Sequence, residues 1–102
     1  MIHTVDGLRL GQMVCSIKGR DDGNFYLIKE LTGDRFLQLI DGIKHDLVRP
    51  KKKNVKHVRV IMLVSTEIEE AFAAGKLVTD SQVVIAIRKL QNVLEEGDRF
   101  HG

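Results

Sequence analysis

The chain has 102 residues, with 16 Lys and Arg against 14 Asp and Glu, one Pro, one Cys and no Trp. That length holds one domain, and an apolar fraction of 43% can build a core for it. A single Cys excludes a disulfide framework and a Cys-x-x-Cys metal or redox site. No apolar run approaches the roughly 18 residues that span a bilayer, and the first ten residues lack the apolar block of a secretory signal. The expectation is a cytoplasmic protein with no membrane partner.

Taken in order, the chain first reads as strands. Met13, Cys15 and Ile17 alternate with Gln12, Val14, Ser16 and Lys18, the period of two that a strand imposes. Gly19-Arg20-Asp21-Asp22-Gly23 follows as a turn, where Gly19 and Gly23 can supply positive φ and the Asp side chains can fold back onto backbone. Residues 25–30 form a second strand, rich in aromatic and β-branched side chains. Leu31-Thr32-Gly33-Asp34 closes a second hairpin. A third strand, 35–40, carries Leu37 and Leu39 on one face and Phe36, Gln38 and Ile40 on the other. Asp41-Gly42 signals a further tight hairpin. Leu47-Val48 is a candidate short fourth strand before Pro50, and 59–64 (RVIMLV) reads as a strand buried on both faces. Five short strands at roughly ten-residue spacing, with glycine-rich turns, fit a small SH3-like barrel over residues 1–64.

The last third changes period. Thr66 and Glu69 make a capping box that opens a short helix with three early acids, Glu67, Glu69 and Glu70, and Gly75 ends it. Thr79 and Gln82 make a second box. Val83, Ala86, Ile87, Leu90, Val93 and Leu94 then lie on one helical face, with Ile85 opposite. Gly97 reads as the stop, so 65–96 is a helical extension of the same domain and 97–102 a tail. The fold class is mainly β with two C-terminal helices.

The charge is unevenly spread. Residues 44–59 hold seven basic side chains (Lys44, Arg49, Lys51, Lys52, Lys53, Lys56, Arg59) and one acid, Asp46, a net of +6. The other 86 residues hold nine basic and thirteen acidic groups, a net of −4. A surface attracts partners through local charge, within a Debye length of about 8–10 Å. Lysines that follow Pro50 on an extended loop suit phosphate contacts, and Arg49 and Arg59 flank them with guanidinium forks.

No catalytic constellation stands out. His3, His45, His57 and His101 are scattered, and Cys15 falls in a strand pattern as a small core residue. The acids of the first helix serve its cap. The glycine turn lacks the Lys-Ser/Thr of a phosphate loop. Neither an enzyme, a cofactor nor a small-molecule substrate is expected. Phe25, Tyr26 and Phe36 are expected to pack in the core, and so small an aromatic supply favours structured RNA over stacked single strands.

The segment 11–25 (GQMVCSIKGRDDGNF) resembles a KOW motif, two strands around a glycine-containing loop. Together with Arg49-Pro50-Lys51-Lys52-Lys53-Asn54-Val55-Lys56-His57, it resembles the small bacterial KOW-domain RNA-binding proteins. Those are related to a KOW-type large-subunit ribosomal protein of archaea and eukaryotes. The likeness spans about residues 8–64. It implies an SH3-like barrel that binds RNA, ribosomal RNA or the ribosome itself, in translation. On the matching positions it implies contacts by Lys18 and Arg20 at the hairpin loop and by Lys51, Lys52, Lys53, Lys56 and His57 in a Lys-rich loop, with Gly19 as the turn glycine. Asn24 stands where the family pattern has a basic residue. The alternative is a protein-interaction module of the same fold, docking a partner through the acidic helical third. Residues 61–102 carry four basic and seven acidic groups.

Overall fold

The computed structural model describes residues 4–20 and 22–101. The elements are β1 (Gln12–Ser16), β2 (Phe25–Thr32), β3 (Phe36–Ile40), β4 (Lys51–Asn54), a 3-10 turn (Val55–His57), β5 (Val58–Val64), α1 (Thr66–Ala73) and α2 (Asp80–His101). The strands form one antiparallel sheet in the order β4-β3-β2-β1-β5.

Both faces of the central strands are buried, which the period-two pattern of β1 did not reveal: all five of its residues are inside. On one face Val14, Tyr26, Ile28, Leu37 and Leu39 pack with Val5, Val55 and Val58. On the other, Met13, Cys15, Leu27, Ile40 and Ile61 pack under Ile68 of α1 and Val83, Ala86 and Ile87 of α2. The two-sided reading of the third strand therefore holds, with Leu37 and Leu39 in the first core and Ile40 in the second. The register shifts between Gln12 and Val14 in the β1–β5 ladder and between Ile28 and Glu30 in the β2–β3 ladder, so regular pairing is interrupted at both places. β4 and β5 are consecutive in the chain yet lie at opposite edges. Among the described residues no ladder joins them, so the sheet curls without closing.

Several elements depart from expectation. The fourth strand is not Leu47-Val48, which lie in a bend, but Lys51–Asn54, paired with β3 from Leu39↔Lys51 to Phe36↔Asn54. β5 is an edge strand, not one buried on both faces, and leaves Met62 87% exposed. Asp41-Gly42 opens a loop over residues 41–50 rather than a tight turn. The Asp41 carboxylate accepts from the backbone N–H groups of Ile43 and His45, both at 2.9 Å, and organises it.

The helices dock by backbone contacts as well as side chains. α1 is capped one residue earlier than expected: the Ser65 hydroxyl accepts from Ile68 N at 3.3 Å, and Ser65 N donates to Gly11 O at 2.9 Å. Glu69 is thereby free of the box and accepts two hydrogen bonds from the Arg9 guanidinium, one at 2.8 Å from Nε. The second box is reciprocal as expected: Thr79 N donates to Gln82 Oε1 at 2.8 Å, and Gln82 N to Thr79 Oγ1 at 3.2 Å. Gly75, at φ 68°, ends α1. Gly97 does not end α2, which continues through His101, so the tail expected from 97 onward is helical over its described residues. Val93, placed on the buried face by spacing, is exposed. No described helix is long and apolar enough to cross a membrane.

The Arg9 hydrogen bonds hold the Glu69 carboxyl below its ordinary value of 4.5. A depressed acid contributes stability above its unfolded pKa, and that contribution is lost as pH falls through the lower folded value. Glu69→Gln is expected to flatten the acid limb of stability below about pH 4.5, read by denaturant titration at successive pH values. An unchanged acid limb would show that the pair does not form.

Candidate nucleic-acid interface

The basic residues are positioned by three pieces of backbone. The first is the turn between β1 and β2. Gly23 N donates to Ser16 O at 2.7 Å and Ser16 N to Asn24 O at 3.0 Å, which seals the base of the hairpin. Gly19 at φ 96° and Gly23 at φ 88° both take the left-handed conformation that a Cβ penalises. Ile17, Lys18, Arg20 and Asp22 are exposed on this turn; Asp21 lies outside the described residues.

The second piece is β4, and it corrects the expectation of a Lys-rich loop. Lys51, Lys52 and Lys53 form an edge strand, where charged side chains also discourage pairing with another chain. Their side chains alternate. Lys53 lies opposite Leu37, so it faces the first core. It is only 9% exposed, and its ammonium donates to the Lys18 carbonyl at 2.7 Å. Lys51, opposite Leu39, is half-buried on the same side. Lys52 faces out, with its ammonium 4.6 Å from the centre of the Phe36 ring. Lys53 is thus part of the scaffold. Lys53→Ala is expected to cost about 1–2 kcal/mol, because the buried stem and a charged hydrogen bond are lost together. Lys52→Ala is expected to cost under about 0.5 kcal/mol. Equal melting of the two variants would contradict the inward placement.

The third piece is the 3-10 turn. Asn54 caps it, accepting from Lys56 N at 3.0 Å, and His57 O accepts from Ile17 N at 3.0 Å. These contacts gather Lys18, Lys53, Lys56 and His57 at one corner of the molecule. His57 registers the result. Its pKa is lowered from its ordinary 6.5, first by burial and then by the positive charges of Lys18, Lys56 and Lys53. Lys56 stands between two hollows. One, about 320 Å³, is lined by Ile17, Lys18, Lys56 and His57. The other, about 380 Å³, is lined by Thr4, Asp34, Arg35, Asn54 and Lys56.

Arg35 is a member that sequence reading did not single out. It sits twenty positions before Val55 and reaches the corner because Val55 N donates to Arg35 O at 2.8 Å, a contact with no local signature. The remaining candidates are dispersed. Arg59 is exposed on β5, beside Cys15 of β1. Arg20 is at the tip of the turn. Arg49 is in the 41–50 loop, where Asp46 accepts its backbone N–H at 2.8 Å. Of the aromatics, Tyr26 is buried and Phe25 packs against the helix-side core, while Phe36 is partly exposed under Lys52.

Cys15 is buried in the helix-side core. Among the described residues no group of three or more His, Cys, Asp or Glu side chains is placed to hold a metal ion. What the corner offers is fixed positive charge around an exposed apolar side chain. That arrangement can neutralise phosphates at spaced positions. Compared with known proteins, the chain matches no family model and no curated relative.

Proposed function

We propose that this chain is a non-enzymatic RNA-binding protein of the SH3-like, KOW type, gripping structured ribosomal RNA by phosphate contacts along its basic corner. The observation that carries the reading is the gathering of the charges of Lys18, Lys53 and Lys56 around His57 by two separate backbone turns, with Arg35 alongside. Three of these come from the basic segment, and two, Lys18 and Arg35, from turns elsewhere in the chain. Convergence of like charges from separate elements costs electrostatic free energy that a polyanion would recover.

The strand order β4-β3-β2-β1-β5, with a 3-10 turn between β4 and β5, supports the SH3-like assignment. Burial of Tyr26 and much of Phe25 leaves no aromatic row on the sheet for stacking a single strand, which favours folded RNA. The reading places the protein in the cytoplasm, on the ribosome, in translation. Co-sedimentation with ribosomal subunits tests it. The chain is expected in the ribosomal pellet at low salt and in the supernatant at high salt. A chain that stays in the supernatant at both would overturn the assignment.

A further inference from the structure

We infer that the hollow between the β1–β2 turn and the 3-10 turn takes one unpaired nucleotide, its base against Ile17 and His57 and its phosphate on Lys18 and Lys56. This rests on the RNA reading above and adds to it the kind of RNA feature that is selected.

The walls of the hollow are chemically unlike the rest of the basic corner. Ile17 is 45% exposed, a β-branched apolar side chain set among cations. A phosphate gains nothing from it. The face of a base does, because covering both removes apolar surface from water. His57 completes the apolar side. Burial and the charges of Lys18, Lys56 and Lys53 all lower its pKa, which favours the neutral ring, and an imidazole lining the hollow offers a flat face to a base. Lys18 and Lys56 supply the charge at the rim.

Size and rigidity point the same way. At about 320 Å³ the hollow is near the small end of the roughly 300–1,000 Å³ in which proteins hold small ligands, far too small for a helix. Its walls are tied together before any ligand arrives: Ile17 N donates to His57 O at 3.0 Å, and the Lys53 ammonium to Lys18 O at 2.7 Å. A pre-formed hollow loses little entropy on binding. Within an A-form duplex each base face is covered by its neighbours, so only a nucleotide out of the stack can present a face to Ile17.

The test uses three RNA hairpins identical except at one position: fully paired, with a single bulged uridine, and with the same bulge lacking its base. Affinities are measured at one salt concentration with the full chain. The bulged hairpin is expected to bind about five- to 150-fold more tightly than the other two, the range for stacking one base. Ile17→Ser and His57→Ala are expected to reduce that preference to under about twofold. Ile17→Phe, which offers a flat ring at the same place, is expected to keep or raise it. Because Ile17 is exposed, its variants do not depend on rescuing a damaged fold. Equal binding of all three hairpins overturns the inference and leaves the RNA reading standing. So does a preference that survives both Ile17→Ser and His57→Ala. Failure to bind any hairpin at low salt overturns the RNA reading itself, and this inference with it.

Discussion

Gly42→Ala is expected to destabilise the protein by about 2–4 kcal/mol, lowering its melting temperature by roughly 10–25 °C. Gly42 sits at φ 79°, where any Cβ is strained by about 1 kcal/mol. Its Cβ would also lie 2.5 Å from the Asp80 carbonyl oxygen and 2.9 Å from Val84 Cγ2. The obstacle is the first turn of α2, so relief requires moving the helix or the loop. Neither moves alone, because Leu47 N donates to the Asp80 carboxylate at 2.9 Å and Asp41 ties the loop to itself. Gly33→Ala is the matched control. Gly33 has φ 63° and open space around its Cβ position, so only the backbone strain of about 1 kcal/mol applies. Thermal and denaturant melts of both variants separate the two terms. Equal losses would mean that α2 does not rest on the 41–50 loop at that distance.

Binding to structured RNA is expected to fall steeply with salt, with log K against log salt sloping by about −3 to −5 if four to six phosphates are neutralised. Between 50 and 200 mM salt this is a loss of roughly 60- to 1,000-fold. Replacing Lys18, Arg35 and Lys56 together by Ala is expected to make the slope shallower by about three, since each phosphate contact contributes about one. Lys76→Ala, beyond α1 and outside the corner, removes one positive charge from the chain and is expected to leave the slope within about half a unit. The comparison separates placement from total charge. A slope that tracks only the number of cations removed, wherever they lie, would refute the corner as the interface.

Features of the chain that depend on near neighbours were readable from residue order. The second capping box, the positive φ at Gly19 and Gly23, the end of α1 at Gly75 and the two faces of β3 are all set within a few positions. Their geometry follows from hydrogen bonds and steric limits that hold in any fold. The positively charged segment is equally plain as composition.

Its shape was not. Three consecutive lysines have low strand propensity and read as a solvated loop, yet pairing with β3 supplies their backbone partners and makes them β4. Once they are a strand, alternation turns Lys53 inward opposite Leu37 and Lys52 outward over Phe36, so residues of one type divide between scaffold and surface. Gly97 looks like a stop, but a stop needs a left-handed residue, and here the helix runs on through it. Capping at Ser65 rather than Thr66 frees Glu69 for Arg9, sixty positions away. Arg35 reaches the corner through the carbonyl that receives Val55 N, and Ile17 is held at the hollow by the carbonyl of His57, forty positions on. The last two outcomes belong to backbone groups that found their partners only when the chain folded. Which partner each finds is decided by distances in the folded molecule, where separation along the chain carries no weight.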